Sequence, residues 1–442
     1  MSKLTQWLMG QQRPSQGDVF AALDIGSTKI ACLIARADDQ GQPRVIGIGH
    51  QLAEGMRTGL VADMEAVQQT VMAAVTTAEQ MAGETIDHVI VNVAGPLLKS
   101  QTVGVELPLN GRDVTYSDVE RIRAQGQNLL AEDAQGRVPE IVHAIPVHYA
   151  LDGQKGIRDP LGMIGNALEA QLHLVSAAFG PVRTLVTAVA RSHLEVERLV
   201  AAPYASGLAC LVEDEMDLGC TVIDIGGGTT SMGIFFDGHM VFADGLPIGG
   251  AHITNDVARG LTTTLAHAER LKTLYGSAIL GPTDDREIID VPQVGEEEPE
   301  HANHVPKSHL IRIIQPRLDE IFEMARARLE KSGFTDVAGR RVVLTGGSSQ
   351  LPGIRDVAQR VLDKQVRLGR PLRISRPYVA ATRNGAHAFT GLAEATSGPA
   401  FSTTAGLLAI AMQPELAATQ SGVESGGNGI MNRISQWARQ NL

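Results

Sequence analysis

The alternation of apolar and polar positions divides the chain into strands, helices and the turns between them. From Val19 to Arg36 the text VFAALDIGSTKIACLIAR is two apolar, β-rich runs around a short Gly/Ser/Thr turn, and Val45–Gly49 supplies a third strand. Asp63 then opens a stretch with Val67, Val71, Val75 and Ala78 at helical spacing, and Ile86–Ala94 predicts a further strand. This is the beginning of an α/β fold. Between about Ser100 and Gln171 the segments become shorter and more polar: a helix from near Ser117, then strand-like IVHAIPVHYAL and ALEAQLHLVSAAF. Together they predict an inserted α+β subdomain. Pro181–Ser192 predicts a helix, LEVERLVA a short strand and PYASGLACLV a second helix.

At Cys220 the opening pattern returns, because TVIDIGGGTTSMGIFF is again strand, Gly/Thr turn, strand. The triplet Asp-Ile-Gly begins at both Asp24 and Asp224, which predicts an internal duplication and two related α/β lobes. Pro282–Lys307 is polar and Pro-containing, the pattern of a loop or insertion. Val342–Thr345 predicts a strand opening into Gly-Gly-Ser-Ser and a helix, and from Ser397 to Gly429 the chain thins toward a Gly/Ser/Gln linker.

Composition narrows the classes. The 442 residues are enough for two or three domains, and 38 Lys+Arg against 49 Asp+Glu argue against a nucleic-acid partner, which needs clustered cations. The same balance argues, at first, against an anionic membrane. Cys32, Cys210 and Cys220 are too few and too scattered for a disulfide framework or a zinc site, so a reducing compartment is expected. No secretory signal pattern opens the sequence, and no apolar run approaches the ~18 residues of a membrane span. A cytosolic protein, or one on the cytosolic face of a membrane, is therefore expected. Glycine, 47 residues, exceeds the usual ~7% and points to tight turns or phosphate loops.

Three turns carry that glycine into chemistry. In Asp24-Ile25-Gly26-Ser27-Thr28-Lys29, glycine lets backbone N–H groups approach an anion while the hydroxyls add donors, although such a turn is also a common hairpin. Asp224-Ile225-Gly226-Gly227-Gly228-Thr229 is more demanding, since consecutive glycines cost backbone entropy and add no packing. Facing each other across a cleft, two such hairpins can grip a β,γ-phosphate, with Asp24 and Asp224 positioning hydrated Mg2+. The third turn, with Gly346, Gly347 and Ser348, ends a strand before a helix, where backbone can pass beneath a base or phosphate; a plain βα turn is its bland alternative.

These turns, in this order, resemble the phosphate and adenosine motifs of the actin, Hsp70 and sugar-kinase ATPases, and within that superfamily the chain resembles the FtsA family of bacterial cell-division proteins. IVHAIPVHYALDG, AERLKTLYGSA, IIQPRLDEI and FSTTAGLLAIA support the likeness, which runs from about Val19 to Met412 and resumes at the C-terminus. The resemblance implies an α/β, actin-like (ribonuclease H-like) two-lobe fold around ATP and Mg2+. It implies residues 17–86, 172–203 and 395–412 as subdomain 1A, 87–171 as inserted subdomain 1C, 204–247 and 312–394 as 2A, and 248–311 as 2B. It further implies that Glu269 and Lys272 reach the nucleotide's ribose and base, and that Gly249, Gly250 and Asn255 close the cleft near the phosphates. On periodicity alone Glu269 and Lys272 are a surface ion pair, and Gly249, Gly250 and Asn255 a turn and a helix start. Related ATPases commonly carry Glu or Gln before the proline that follows the first lobe's last strand, to orient the attacking water. Here Ala202 precedes Pro203, so ATP binding with at most slow hydrolysis is expected.

The tail changes the membrane argument. In residues 430–442, Ile430, Met431, Ile434, Trp437 and Leu442 fall on one helical stripe, and Arg433 and Arg439 stand among the polar positions with no acid. After the 413–429 linker this is an interfacial amphipathic helix in miniature, and FtsA-type proteins carry a membrane-targeting helix here. One such tail is marginal, because partial burial at ~1 kcal/mol per large side chain supports micromolar affinity at best, whereas a polymer presenting many tails binds firmly. The resemblance implies a filament on the cytoplasmic face of the inner membrane, peripheral and at the septum. Its implied partners are anionic lipids, the C-terminal tail of the tubulin-like protein FtsZ near Lys307 and Arg312 on 2B, and later division proteins through 1C. Lys307 and Arg312 read equally well as solvated charges. The competing expectation is a sugar or small-molecule kinase of the same superfamily, which needs a carboxylate base and no tail; a chaperone would need a substrate domain that does not follow.

Overall fold

The first apolar runs become strands β1 (Val19–Ile25) and β2 (Lys29–Ala37), an antiparallel hairpin in which Ile25 faces Ile30 across the turn. In the computed structural model, residues 17–37, 43–130, 136–295, 303–371 and 396–412 are described. Strand β3 (Pro43–Leu52) continues the sheet antiparallel to β2, and short β4 (Met56–Arg57) and β5 (Leu60–Val61) form a small hairpin beyond it. The helix Met64–Ala82 starts where the Asp63 carboxylate accepts from the N–H groups of Glu65 and Ala66, and stops at Gly83, whose φ of 69° suits glycine. Its predicted face, Val67, Val71, Val75 and Ala78, is buried on the sheet. The contact is close because β3 offers Gly47 and Gly49 there, where added Cβ atoms would overlap the Ala78 and Ala74 carbonyls.

Strand β6 (His88–Val93) pairs parallel with β1, inside the first-lobe sheet. The expected start of the inserted subdomain at residue 87 is therefore corrected, since 88–93 belongs to the lobe's core. The insert has its own antiparallel sheet, built from β7 (Leu98–Pro108), β8 (Glu140–Leu151), β9 (Gln154–Ile157) and β10 (Ala167–Ala177) in the order β7-β10-β8-β9. The helix Tyr116–Gln127 covers it, and Leu107, Val119, Ile122, Leu168 and Leu172 form a separate core. The sheet runs on to Ala177, past the expected end at 171. Helix Phe179–Arg191 then leads into β11 (Glu195–Ala201), parallel to β6, and helix Ala202–Cys210 follows directly.

The second lobe repeats the first. Its strands β12 (Cys220–Ile225), β13 (Thr230–Phe236) and β14 (His239–Leu246) are antiparallel neighbours. Between β14 and the lobe's remaining strands stand helices Gly250–Leu261 and Leu265–Tyr275, the hairpin β15 (Ile288–Val291) and β16 (Asn303–Pro306), and the long helix Lys307–Lys331. Pro282–Lys307, expected as loop or insertion, thus contains a paired hairpin. Strands β17 (Arg341–Thr345) and β18 (Gln365–Leu368) complete the second sheet, flanking the helix Ile354–Leu362. The sheet orders, β3-β2-β1-β6-β11 and β14-β13-β12-β17-β18, are the same three antiparallel plus two parallel strands twice over.

The final described helix, Ser402–Met412, returns to the first lobe and is buried, although its texture alone reads as the start of a linker. It crosses helix Ala202–Cys210 so tightly that a Cβ on Gly406 would overlap the Ala205 carbonyl. The linker 413–429 and the amphipathic stretch 430–442, with Ile430, Met431, Arg433, Ile434, Trp437, Arg439 and Leu442, lie outside the described residues. Among the described residues no helix is long and apolar enough to cross a membrane, and the three cysteines are free and buried.

Candidate functional site

The duplicated hairpins end in the same turn: the Gly26 N–H donates to the Lys29 carbonyl at 3.0 Å, and the Gly226 N–H to the Thr229 carbonyl at 2.9 Å. The two turns abut. A Cβ on Gly227 would overlap the Thr28 side chain, and one on Gly228 the Ser27 hydroxyl, so only glycine lets the two turns approach this closely. Ser27 Oγ also accepts the Gly59 N–H at 2.9 Å, which fixes the β4–β5 turn against the first hairpin.

The diglycine turn after β17 joins them from the second lobe. Gly346 has a φ of 87°, and a Cβ there would overlap Asp224 Oδ1. Ser348 Oγ donates to the Gly226 carbonyl at 3.0 Å, while Gly250 and Ala251 at a helix start donate to the carbonyls of Gly226 and Gly227. Lys272 Nζ sits 2.7 Å from Glu269 Oε2 and donates to Thr254 Oγ1 at 2.8 Å and to the Gly250 carbonyl at 3.2 Å. The pair anticipated on the helix is thus anchored to the first turns of helix Gly250–Leu261. Asn255 lies exposed on the second turn of its helix, and its neighbour Thr254 is buried and donates to Glu269 Oε2. Adjacent residues on a helix point about 100° apart, so the two meet different surroundings.

Asp24 and Asp224 are each 8% exposed. Thr404 Oγ1 donates to Asp24 Oδ2 at 3.0 Å and Thr403 Oγ1 to Asp224 Oδ2 at 2.8 Å. Burial pushes the Asp224 carboxyl up to about 6, opposed by the Thr403 bond, and burial likewise raises Asp24. Lys29 is held by donation to the Ala400 carbonyl at 2.5 Å, with its ammonium 3.4 Å from the Phe401 ring centroid; burial lowers its pKa while the two aspartates oppose that. Two buried carboxylates face one part-buried lysine, so the site has more negative than positive groups. Two carboxylates can hold a hydrated divalent cation through its water when a phosphate supplies further ligands; among the described residues no three His, Cys, Asp or Glu groups cluster as a metal cage.

Ala202 is buried at the start of its helix, with no side chain to orient a water. Lys307 and Arg312 lie away from these turns: Lys307 pairs with Glu287 at 2.9 Å and Asp284 at 3.2 Å, and Arg312 with Asp285 at 3.5 Å. Sequence reasoning missed Thr254, Thr403 and Thr404. The only signal was hydroxyls at otherwise apolar positions, as in FSTTAGLLAIA, where a threonine within a buried helix needs a partner.

The family model described as "Cell division protein FtsA" matches residues 221–406, and "SHS2 domain inserted in FTSA" matches 95–176, the span of the separate inserted sheet. Proteins described as "Cell division protein FtsA" are similar along nearly the whole chain. The one from Rhizobium meliloti is 42% identical over 96% of this chain and 95% of its own length. That from Escherichia coli is 30% identical over 96% and 98%. Among solved structures, the PilM-PilN type IV pilus biogenesis complex aligns with a TM-score of 0.60 at 16% identity, covering 89% of this chain and 98% of that one. MreB5 of Spiroplasma citri bound to ADP aligns with a TM-score of 0.51 at 13% identity, covering 90% and 98%. The fold is shared with both.

Proposed function

The chain belongs to the FtsA family of cell-division proteins, and from that premise we propose that it binds ATP with Mg2+ between its two lobes, polymerises on the cytoplasmic face of the inner membrane and tethers FtsZ there. The observation that carries the nucleotide reading is the convergence of three glycine turns on Asp24 and Asp224, two buried carboxylates, with glycine wherever the turns meet most closely. Amides and hydroxyls of Gly26–Thr28 and Gly226–Thr229 hold the phosphates; Gly346, Gly347 and Ser348 pass beneath the nucleotide; Lys272 and Glu269 reach ribose and base. Mg2+ held through water by Asp24 and Asp224 would neutralise phosphate charge. With alanine at position 202, no side chain there activates a water, which favours long-lived ATP binding over rapid turnover.

Membrane residence rests on the pattern of residues 430–442. Single tails bind weakly and an assembled filament binds by avidity, so nucleotide-dependent assembly controls attachment. The inserted subdomain, with a core of its own, offers later division proteins a separate docking body. A kinase role is not favoured, because the family is one of cell-division proteins. The test is electron microscopy of the full chain on lipid monolayers with and without ATP. ATP-dependent filaments that recruit FtsZ are the expected result, and their absence in both conditions, with no recruitment, rejects the reading.

A further inference from the structure

Each residue from Pro399 to Thr404 contacts one of the three glycine turns or its strand. The Pro399 carbonyl accepts the Gly346 N–H at 3.2 Å, and the Ala400 carbonyl accepts Lys29 Nζ. The Phe401 ring lies beneath the same ammonium. Ser402 Oγ is 2.6 Å from Thr345 Oγ1, at the end of β17; Thr403 bonds Asp224 and Thr404 bonds Asp24. Three consecutive hydroxyls on the first turn of one buried helix therefore reach three motifs that the sequence places more than a hundred residues apart.

We propose that Ser402, Thr403 and Thr404 are the positioning residues of the cation–nucleotide site: Thr403 and Thr404 each hold Oδ2 of one aspartate and so orient its carboxylate for a hydrated cation, and with Ser402 they keep the three turns in mutual register. The inference rests on the nucleotide reading above and deepens it. A carboxylate with one oxygen held by a hydroxyl is fixed in rotation and stabilised in its ionised form, both of which an outer-sphere cation needs. Gly346 adds a second constraint on Asp224, because Oδ1 fills the space a side chain there would take.

The experiment measures ATP affinity of the full chain by calorimetry, in Mg2+ and in EDTA, for the parent, Thr403→Val, Thr404→Val and the corresponding serine variants. Valine keeps the shape and removes the donor. The expected result is that the gain in affinity given by Mg2+ falls about tenfold in each valine variant, the worth of one charge-assisted hydrogen bond, and returns in the serine variants. An equal loss in Mg2+ and EDTA means that the threonines only support the fold, and overturns the proposal; so does an unchanged Mg2+ gain. If a valine variant does not fold, Thr403→Ala and Thr404→Ala are read by the same ratio. A parent that binds ATP with a Mg2+ gain, unaltered in the variants, overturns this inference alone; a parent that binds no nucleotide overturns the nucleotide reading as well.

Discussion

His173, on the inserted sheet, donates through Nδ1 to the carbonyl of Met240 in the second lobe at 2.7 Å. Its Nε2 lies 2.5 Å from Ser100 Oγ, which in turn accepts the Ala243 N–H at 3.2 Å, so the neutral ring is wired at both nitrogens. His143, on the neighbouring strand, accepts the Ala201 N–H of the first lobe at 2.9 Å. The insert is thus bolted to both lobes through two buried imidazoles.

That arrangement sets a pH dependence. Burial pushes His173 down to about 4 and His143, also facing His173 and Arg198, down to about 3. A depressed histidine pKa means the unfolded chain takes up protons first, so the stability is fully present above pH 6.5 and is lost as pH falls toward 4. For His173 the loss approaches roughly 3 kcal/mol. Thermal unfolding from pH 7.5 to 5 should show a falling midpoint, and His173→Asn, which retains a donor for Met240, should flatten part of that slope. A flat profile in the parent would contradict it.

Asp224 has the opposite sign. Its carboxyl is raised to about 6, so ionisation opposes folding above that pH, and the penalty disappears as pH falls through 6 toward 3.8. Asp224→Asn should stabilise the metal-free protein at pH 8 by about 2 kcal/mol, less near pH 5, while removing the Mg2+ contribution to nucleotide affinity. Denaturant melts at the two pH values, paired with ATP titrations, measure both effects.

Gly406 decides how closely the two inter-lobe helices approach. Because an added Cβ meets the Ala205 carbonyl, rigid backbone rather than a pliable side chain, Gly406→Ala should destabilise by about 1–3 kcal/mol despite alanine's better helix propensity. Equilibrium unfolding tests this, and a neutral result would show that the crossing can widen.

Trp437→Glu places a charge in the apolar stripe of residues 430–442 and should abolish co-sedimentation with anionic vesicles, leaving ATP binding unchanged. Retention equal to the parent's would remove the tail from the membrane argument.

For the FtsZ tail, Arg312 is the better candidate of the two cations. Its side chain is 63% exposed and pairs loosely with Asp285, whereas Lys307 is 22% exposed and held by Asp284 and Glu287. Arg312→Glu should weaken binding of a labelled FtsZ C-terminal peptide several-fold, and more than Lys307→Ala does. Fluorescence anisotropy at two salt concentrations reads the difference; no change in either variant would move the contact elsewhere.

Local order was legible wherever the period of the pattern and the turn chemistry agreed. The strands around Asp24 and Asp224, the face of helix Met64–Ala82 and the duplication all follow from spacing, because side-chain periodicity and glycine turns act over a few residues. The insert's start was misplaced at 87 because an apolar run such as His88–Val93 does not say which sheet it joins; pairing with β1 decides that.

By itself the sequence determined two glycine-rich hairpins, an inserted subdomain and a C-terminal amphipathic stretch, since each is encoded in contiguous residues. Only the tertiary structure decided that Ser402, Thr403 and Thr404 reach Thr345, Asp224 and Asp24, and that His143 and His173 pin the insert to both lobes. These partners lie far apart along the chain, and no local pattern records a hydrogen bond whose two ends meet only when both lobes and the returning helix have packed.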